Sequence, residues 1–215
     1  MTDKIKIDIV SDVVCPWCTI GYKRLEKAIN EMGMQDKVKI EWQPFELNPN
    51  MPAEGQNLKE HIAEKYGSNT AQQHESQQRM VDAGAELDFT FDYFDEMRMV
   101  NTFDAHILLD YAKGFGKQTE LKMQLTKAFF SERKDISKRS VLEVALLEVG
   151  LDAEEALAKL DNEESRNQVR NEQNYWKNLG VNSVPTIVFN RKSAVTGAQP
   201  VDVFKQILTE VIGQK

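Results

Sequence analysis

The chain holds only two cysteines in 215 residues, and they stand three positions apart as Cys15-Pro16-Trp17-Cys18. What flanks the pair makes it the strongest constraint on the fold. Before it, Lys4 to Val10 alternates polar and β-branched residues, the period-2 pattern of a strand with one face turned inward. After it, Pro16 suits a first helical position, where its missing N–H costs nothing. Leu25, Ala28, Ile29 and Met32 continue an apolar stripe at helical spacing, and Gly33 is a natural stop. The sulfurs are thus expected where a strand hands over to a helix. Two cysteines this close cannot staple a fold, so they serve chemistry or a metal.

Val38 to Phe45 alternates again, and Pro44 near its end marks a strand that stops or lies at a sheet edge. From about Leu58 to Gly180 almost everything reads as helix. Turn-like breaks fall near Gly67 to Asn69, Asp88 to Asp95, Gly114 to Gly116, Asp135 to Ser137 and Gly150. Ser140 with Glu143 and Asp152 with Glu155 have capping-box spacing. Thr186 to Phe189 and Ala194 to Thr196 are short β-prone pieces divided by a turn, and an amphipathic helix follows from about Val201 to Ile212. Strand-helix-strand, a helical excursion, then strand-strand-helix is the order of a thioredoxin fold interrupted in its middle. The expected class is α/β, with a large all-helical insertion between the βαβ and ββα halves. Residues 1–57 and 181–215 would form the thioredoxin-like domain and residues 58–180 the helical insertion.

A formal charge of -7, with no Lys/Arg cluster to offset it, argues against nucleic acid as a partner. No apolar run approaches the roughly 18 residues that span a bilayer, so no membrane partner is expected. The N-terminal Met-Thr-Asp-Lys-Ile-Lys-Ile-Asp alternates charged and apolar residues and does not resemble a signal peptide. A cytoplasmic location is the resulting expectation. No Gly-x-Gly-x-x-Gly fingerprint appears, so electrons would come from another thiol and not from a nicotinamide.

A thiolate attacks a disulfide and a thiol does not, so a redox cysteine needs something that favours its charge. Free amides and the dipole at a helix start supply it. Cys15 is therefore the expected exposed nucleophile. Cys18, about one helical turn on, is the expected resolving thiol, with Pro16 and Trp17 tuning the pair. The competing reading is half a zinc site, with the protein as a binding or interaction module. It would need two more ligands, and His61, His74 and His106 do not stand at zinc-finger spacing, so no metal is expected. Val184-Pro185-Thr186, just before the third strand, is the second signal. Pro185 is expected to be cis, with Val184 offering its backbone to an extended substrate and all three residues at the binding edge.

Cys15-Pro16-Trp17-Cys18 with Gly21, Val184-Pro185-Thr186 and Gly197-Ala198-Gln199-Pro200 together resemble the FrnE-like branch of the DsbA superfamily. Asn101-Thr102, Ala105-His106, and Phe129-Phe130 through Asp135-Ile136 add to the likeness, which spans nearly the whole chain. It implies oxidation, reduction or isomerisation of protein disulfides. Relatives on the same scaffold, 2-hydroxychromene-2-carboxylate isomerases and kappa-type glutathione transferases, generally have Ser where this chain has Cys15. That keeps a glutathione-dependent isomerase or transferase as the alternative. No bound cofactor is expected beyond the redox-active disulfide, with glutathione as a candidate reductant. Partners would be protein or small-molecule thiols and disulfides. In a glutathione-poised cytosol, reduction or isomerisation is the expected net direction.

Three further features have two readings each. Asp12 is either a proton acceptor for Cys18 or a turn residue. His106 lies beside the helix face of Phe103, Ile107 and Tyr111, as a polar-network histidine or an accessory acid/base. Phe89, Phe91, Tyr93 and Phe94 either pack between domains or line a substrate groove.

Overall fold

The computed structural model describes residues 4–213; Met1 to Asp3, part of the stretch read above for targeting, lie outside it. Strand β1 (Ile5–Ser11) leads into helix α1 (Pro16–Glu31) and strand β2 (Val38–Pro44). Near the C-terminus β5 (Thr186–Phe189), β6 (Ser193–Thr196) and α9 (Val201–Gly213) complete the α/β unit. The sheet order is β2-β1-β5-β6. β1 runs parallel to β2, and β5 lies antiparallel to both β1 and β6. This is the expected thioredoxin fold, and β2 with Pro44 at its end lies on an edge.

Alternation explains why these residues form the sheet. Ile5, Ile7 and Ile9 share a core with Leu25, Ala28 and Ile29 of α1 and Phe204 and Leu208 of α9. Val10 and Val188, of the opposite parity, pack with Trp176 from the helical segment. Each fully buried Ile, Leu or Phe contributes about 1.5–3 kcal/mol, so the central strand is fixed in register by both faces. α1 stops where Gly33 turns at φ +61, a conformation that suits glycine.

Between the halves run α2 (Leu58–Tyr66), α3 (Thr70–Ala85), α4 (Phe103–Lys113), α5 (Gln118–Phe130), α6 (Arg139–Glu148), α7 (Ala153–Ala158) and α8 (Glu163–Asn178). The expected breaks hold. A two-residue ribbon of β3 (Gln56–Asn57) and β4 (Arg98–Met99), absent from the sequence reading, pins the entry to α2 against the loop before α4. It is too short to carry a period. Asp152 caps α7 by accepting from the Glu155 N–H at 2.9 Å. The Ser140 cap is a correction: α6 starts at Arg139, so Ser140 lies inside the helix, and Lys138 at the cap position makes no side-chain bond. Asp135 takes over the turning role upstream, accepting from the Ser137 amide and hydroxyl.

The core of the helical segment centres on Leu108, Leu121, Leu125, Leu142 and Leu146 and also takes in Val13, Val14 and Ile20. The turn that carries the cysteines is therefore packed from both sides. Phe91 meets Phe130 edge-on at 5.0 Å, which places the aromatic loop in this core.

Candidate active site

Cys15 is the residue just before α1, and its sulfur accepts a hydrogen bond from the Cys18 N–H at 3.2 Å. It occupies the position a capping oxygen usually takes, where free amides and the helix dipole favour an anion. Both cysteines are free thiols. Cys15 is 4% exposed, which corrects the expectation of an exposed sulfur: Trp17, 37% exposed, lines the same cavity, and residues of the helical segment form its other walls. Burial, aided by the hydrogen bond and charge shared with Cys15, pushes the Cys18 thiol well above the usual thiol range. The pair is thus asymmetric, one sulfur facing a cavity and the other sealed behind it.

That cavity, about 450 Å³, opens from Cys15 and Trp17 toward α2 and α3, with Ile62, Tyr66, Met80 and Tyr93 among its walls. Tyr93 thus brings the aromatic loop to the groove as well as to the core. Lys65 and His61 supply polar wall, and Lys65 donates to the Leu47 carbonyl and to Asn48 Oδ1. Val184 closes the other side, its carbonyl oxygen 4.0 Å from Cys15 Sγ, and the Val184-Pro185 bond is cis. The Val184 N–H and C=O have no backbone partner among the described residues. Thr186 does not face the groove. It is buried in β5, and its hydroxyl donates to the Ser183 carbonyl at 2.7 Å, so its side chain holds the loop.

Gly21 explains how this loop reaches the dithiol. A Cβ there would meet Pro185 Cγ at 3.2 Å and Ala198 Cα at 3.3 Å, so α1 and the proline loop meet with no side chain between them. Arg24, one turn on, donates to the Ala198 carbonyl at 2.8 Å.

Behind Cys18 lies a buried polar group. Asp12 accepts from the Val13 N–H at 2.7 Å, the Leu47 N–H at 2.8 Å and His106 Nε2 at 3.2 Å. Burial alone would raise its pKa. The His106 contact, the Leu47 amide and the Lys122 charge outweigh burial and hold it below the ordinary carboxylate range. Asp12 is therefore a turn residue and also a buried anion, and His106 is its network partner. Both lie beside the dithiol without reaching the Cys15 cavity.

Lys122 was missed by sequence reasoning. It is the one buried lysine among the described residues, and its Nζ finds no hydrogen-bond partner there. Its signal was legible: Gln118, Lys122, Leu125 and Phe129 recur at one-turn spacing, which puts a charge on the apolar face of α5.

Among the described residues no group of three His, Cys, Asp or Glu side chains is placed to hold a metal, and no helix is long and apolar enough to cross a membrane. The model of the DSBA-like thioredoxin domain family matches residues 6–209. The uncharacterised protein YwbO of Bacillus subtilis is 26% identical over 207 residues, 96% of each chain. The crystal structure of a probable DsbA oxidoreductase from Streptomyces coelicolor superposes with a TM-score of 0.92 at 30% identity, covering 98% of this chain and 91% of that one. The cytosolic disulfide reductase DsbM from Pseudomonas aeruginosa, solved with GSH, superposes with a TM-score of 0.67 at 16% identity, covering 96% and 98%.

Proposed function

The chain belongs to the DSBA-like thioredoxin domain family, and on that premise we propose that it is a thiol–disulfide oxidoreductase acting on protein disulfides through Cys15 and Cys18. The observation that carries this reading is the asymmetric dithiol: Cys15 capping α1 with an amide on its sulfur, open to a cavity beside a Val184 backbone that has no main-chain partner among the described residues, with Cys18 sealed one turn behind. The Cys15 thiolate attacks one sulfur of a substrate disulfide, and the other sulfur leaves as a thiolate. Cys18 then attacks Cys15 Sγ, the substrate's second sulfur departs, and the chain holds the disulfide while the substrate holds two thiols. An extended peptide crossing the groove would pair with Val184 through its main chain. Two equivalents of a cellular thiol reset the pair.

The net direction proposed is reduction or isomerisation in the cytoplasm, with glutathione as the resetting thiol. A cavity of about 450 Å³ beside Cys15 is of small-ligand size, which supports glutathione access and leaves a glutathione-dependent isomerase or transferase as the second reading. Insulin reduction tests the main reading: Cys15→Ser should abolish turnover, and Cys18→Ser should trap mixed disulfides. Full activity of Cys15→Ser would refute it. Micromolar glutathione binding to a variant lacking both cysteines, without disulfide exchange by the unaltered chain, would favour the second reading.

A further inference from the structure

Lys122 has no structural explanation of the ordinary kind. An ammonium buried without a hydrogen bond is costly, and a methionine would fill the same space. Its charge helps to hold Asp12 ionised, but that carboxylate already has three hydrogen-bond donors, and Lys122 is the last of the causes that lower its pKa. Yet its placement is tightly built. One turn before it, Gln118 accepts from the Trp42 N–H and donates to the Trp42 carbonyl, both at 2.9 Å, which clamps α5 onto β2. Lys122 Nζ then sits 5.1 Å from the centre of the Trp42 ring. Trp42 packs on Tyr22 at 4.9 Å, and Tyr22 stands one turn beyond Cys18 on α1. Farther along α5, Phe129 reaches the Cys15 cavity. Leu121 and Leu125, flanking Lys122 on α5, share one buried core with Val13, Val14 and Ile20 around the cysteines, and the titratable groups whose charges act on the ammonium are Cys18, Asp12 and Cys15. The Tyr22 hydroxyl is engaged elsewhere, donating to Glu26 at 2.8 Å, and His106 is bonded to Asp12 at 3.2 Å.

Of these groups Cys18, 1% exposed, is the deepest sulfur that must change charge during turnover. Resting on the oxidoreductase reading, we propose that Lys122 is a positioning residue for the resolving step, its ammonium compensating the thiolate that Cys18 becomes when it attacks the mixed disulfide. In that step a bond forms between Cys18 Sγ and Cys15 Sγ, and the bond from Cys15 to the substrate sulfur breaks. The electron pair leaves with the substrate sulfur, and the proton shed by Cys18 ends, through solvent, on that departing thiolate. Asp12 works against the same charge, so the helical segment supplies the cation that the α/β unit lacks at this point. Burial lowers the pKa of Lys122 while Cys18 and Asp12 oppose that fall, which agrees with a cation tied to the state of the dithiol.

Dithiobis(nitrobenzoate) separates the two steps, because capture by Cys15 releases one nitrothiobenzoate and resolution by Cys18 releases the second. In Lys122→Met the first release should stay within about threefold of the unaltered chain. The second should slow by about tenfold or more at neutral pH, with its pH profile moved to the alkaline side, one pKa unit being a tenfold loss of thiolate. An unchanged rate and profile for the second release would overturn the role of Lys122 and leave the oxidoreductase reading intact. Absence of a second release from the unaltered chain would overturn both.

A second measurement needs no variant. With isotope-labelled lysine side chains followed by NMR, the Lys122 signal should titrate at lower pH in the oxidised protein than in the reduced one, since coupling between the groups is reciprocal. The same titration in both states would also overturn the proposal.

Discussion

Asp12 shows how much one side chain carries here: its two oxygens fix the turn into the dithiol through Val13, the loop after β2 through Leu47, and α4 through His106. Asp12→Asn should cost about 1–3 kcal/mol at neutral pH in urea unfolding, because the amide nitrogen faces a donor and the charge on two of these bonds is lost. The sign of its pH dependence follows from a folded pKa held below 3.8. The carboxylate's contribution is fully present above the unfolded value and is lost as pH falls through the folded one, so the gap to the variant should close under acid. At this scale the sequence was informative wherever partners are near in the chain. Cys15, Cys18 and their turn are legible because three residues define them, and Val184-Pro185 because the proline stands directly before a strand. The bond between Asp12 and His106 spans 94 positions, and no local pattern announces it.

Among the elements, α5 is the one whose role was least legible. Its helical period is plain, but which neighbour its polar positions meet depends on how the insertion folds back onto β2. Gln118 resolves that by pairing with the main chain of Trp42 at a strand edge that would otherwise stand open. Gln118→Leu should lose both bonds and leave the Trp42 amide and carbonyl unmet, a cost of about 1–3 kcal/mol measurable by urea unfolding together with a shift in tryptophan emission. The ribbon of β3 and β4 was invisible for a different reason: with two residues a side, only tertiary pairing distinguishes it from loop. Ser140 was misread because the same spacing holds when the helix starts one residue earlier: Ser140 is the second residue of α6, past the cap position that Lys138 takes.

Across the molecule, the sheet and the helical segment are joined by charge as well as by packing. Glu41 on β2 meets Lys6 and Lys39 at 2.8 Å and, from α4, Lys113 at 3.2 Å. Burial would raise its pKa, but Lys39, Lys6 and Lys113 together push it down to about 2 from an ordinary 4.5. Its contribution to stability is therefore complete above about pH 4.5 and fades as the pH approaches 2. Glu41→Gln should lower the urea midpoint at neutral pH and flatten the acid limb of the stability profile. An unchanged slope across that window would show that the cluster does not tie the two halves. The strand order and the helical content were legible in the chain because period and punctuation are local. The lysines converging on one carboxylate were not, since Lys113 reaches it from an element 72 positions away.

The burial of Cys15 beside an exposed Trp17 bears on what could react with it. On the oxidoreductase reading, girth would weigh on admission: a slender disulfide or an unfolded strand fits a cavity of about 450 Å³ better than the face of a rigid globule. On that reading, burial of the sulfur would spare neighbouring folded proteins from accidental cross-linking without any need to recognise them.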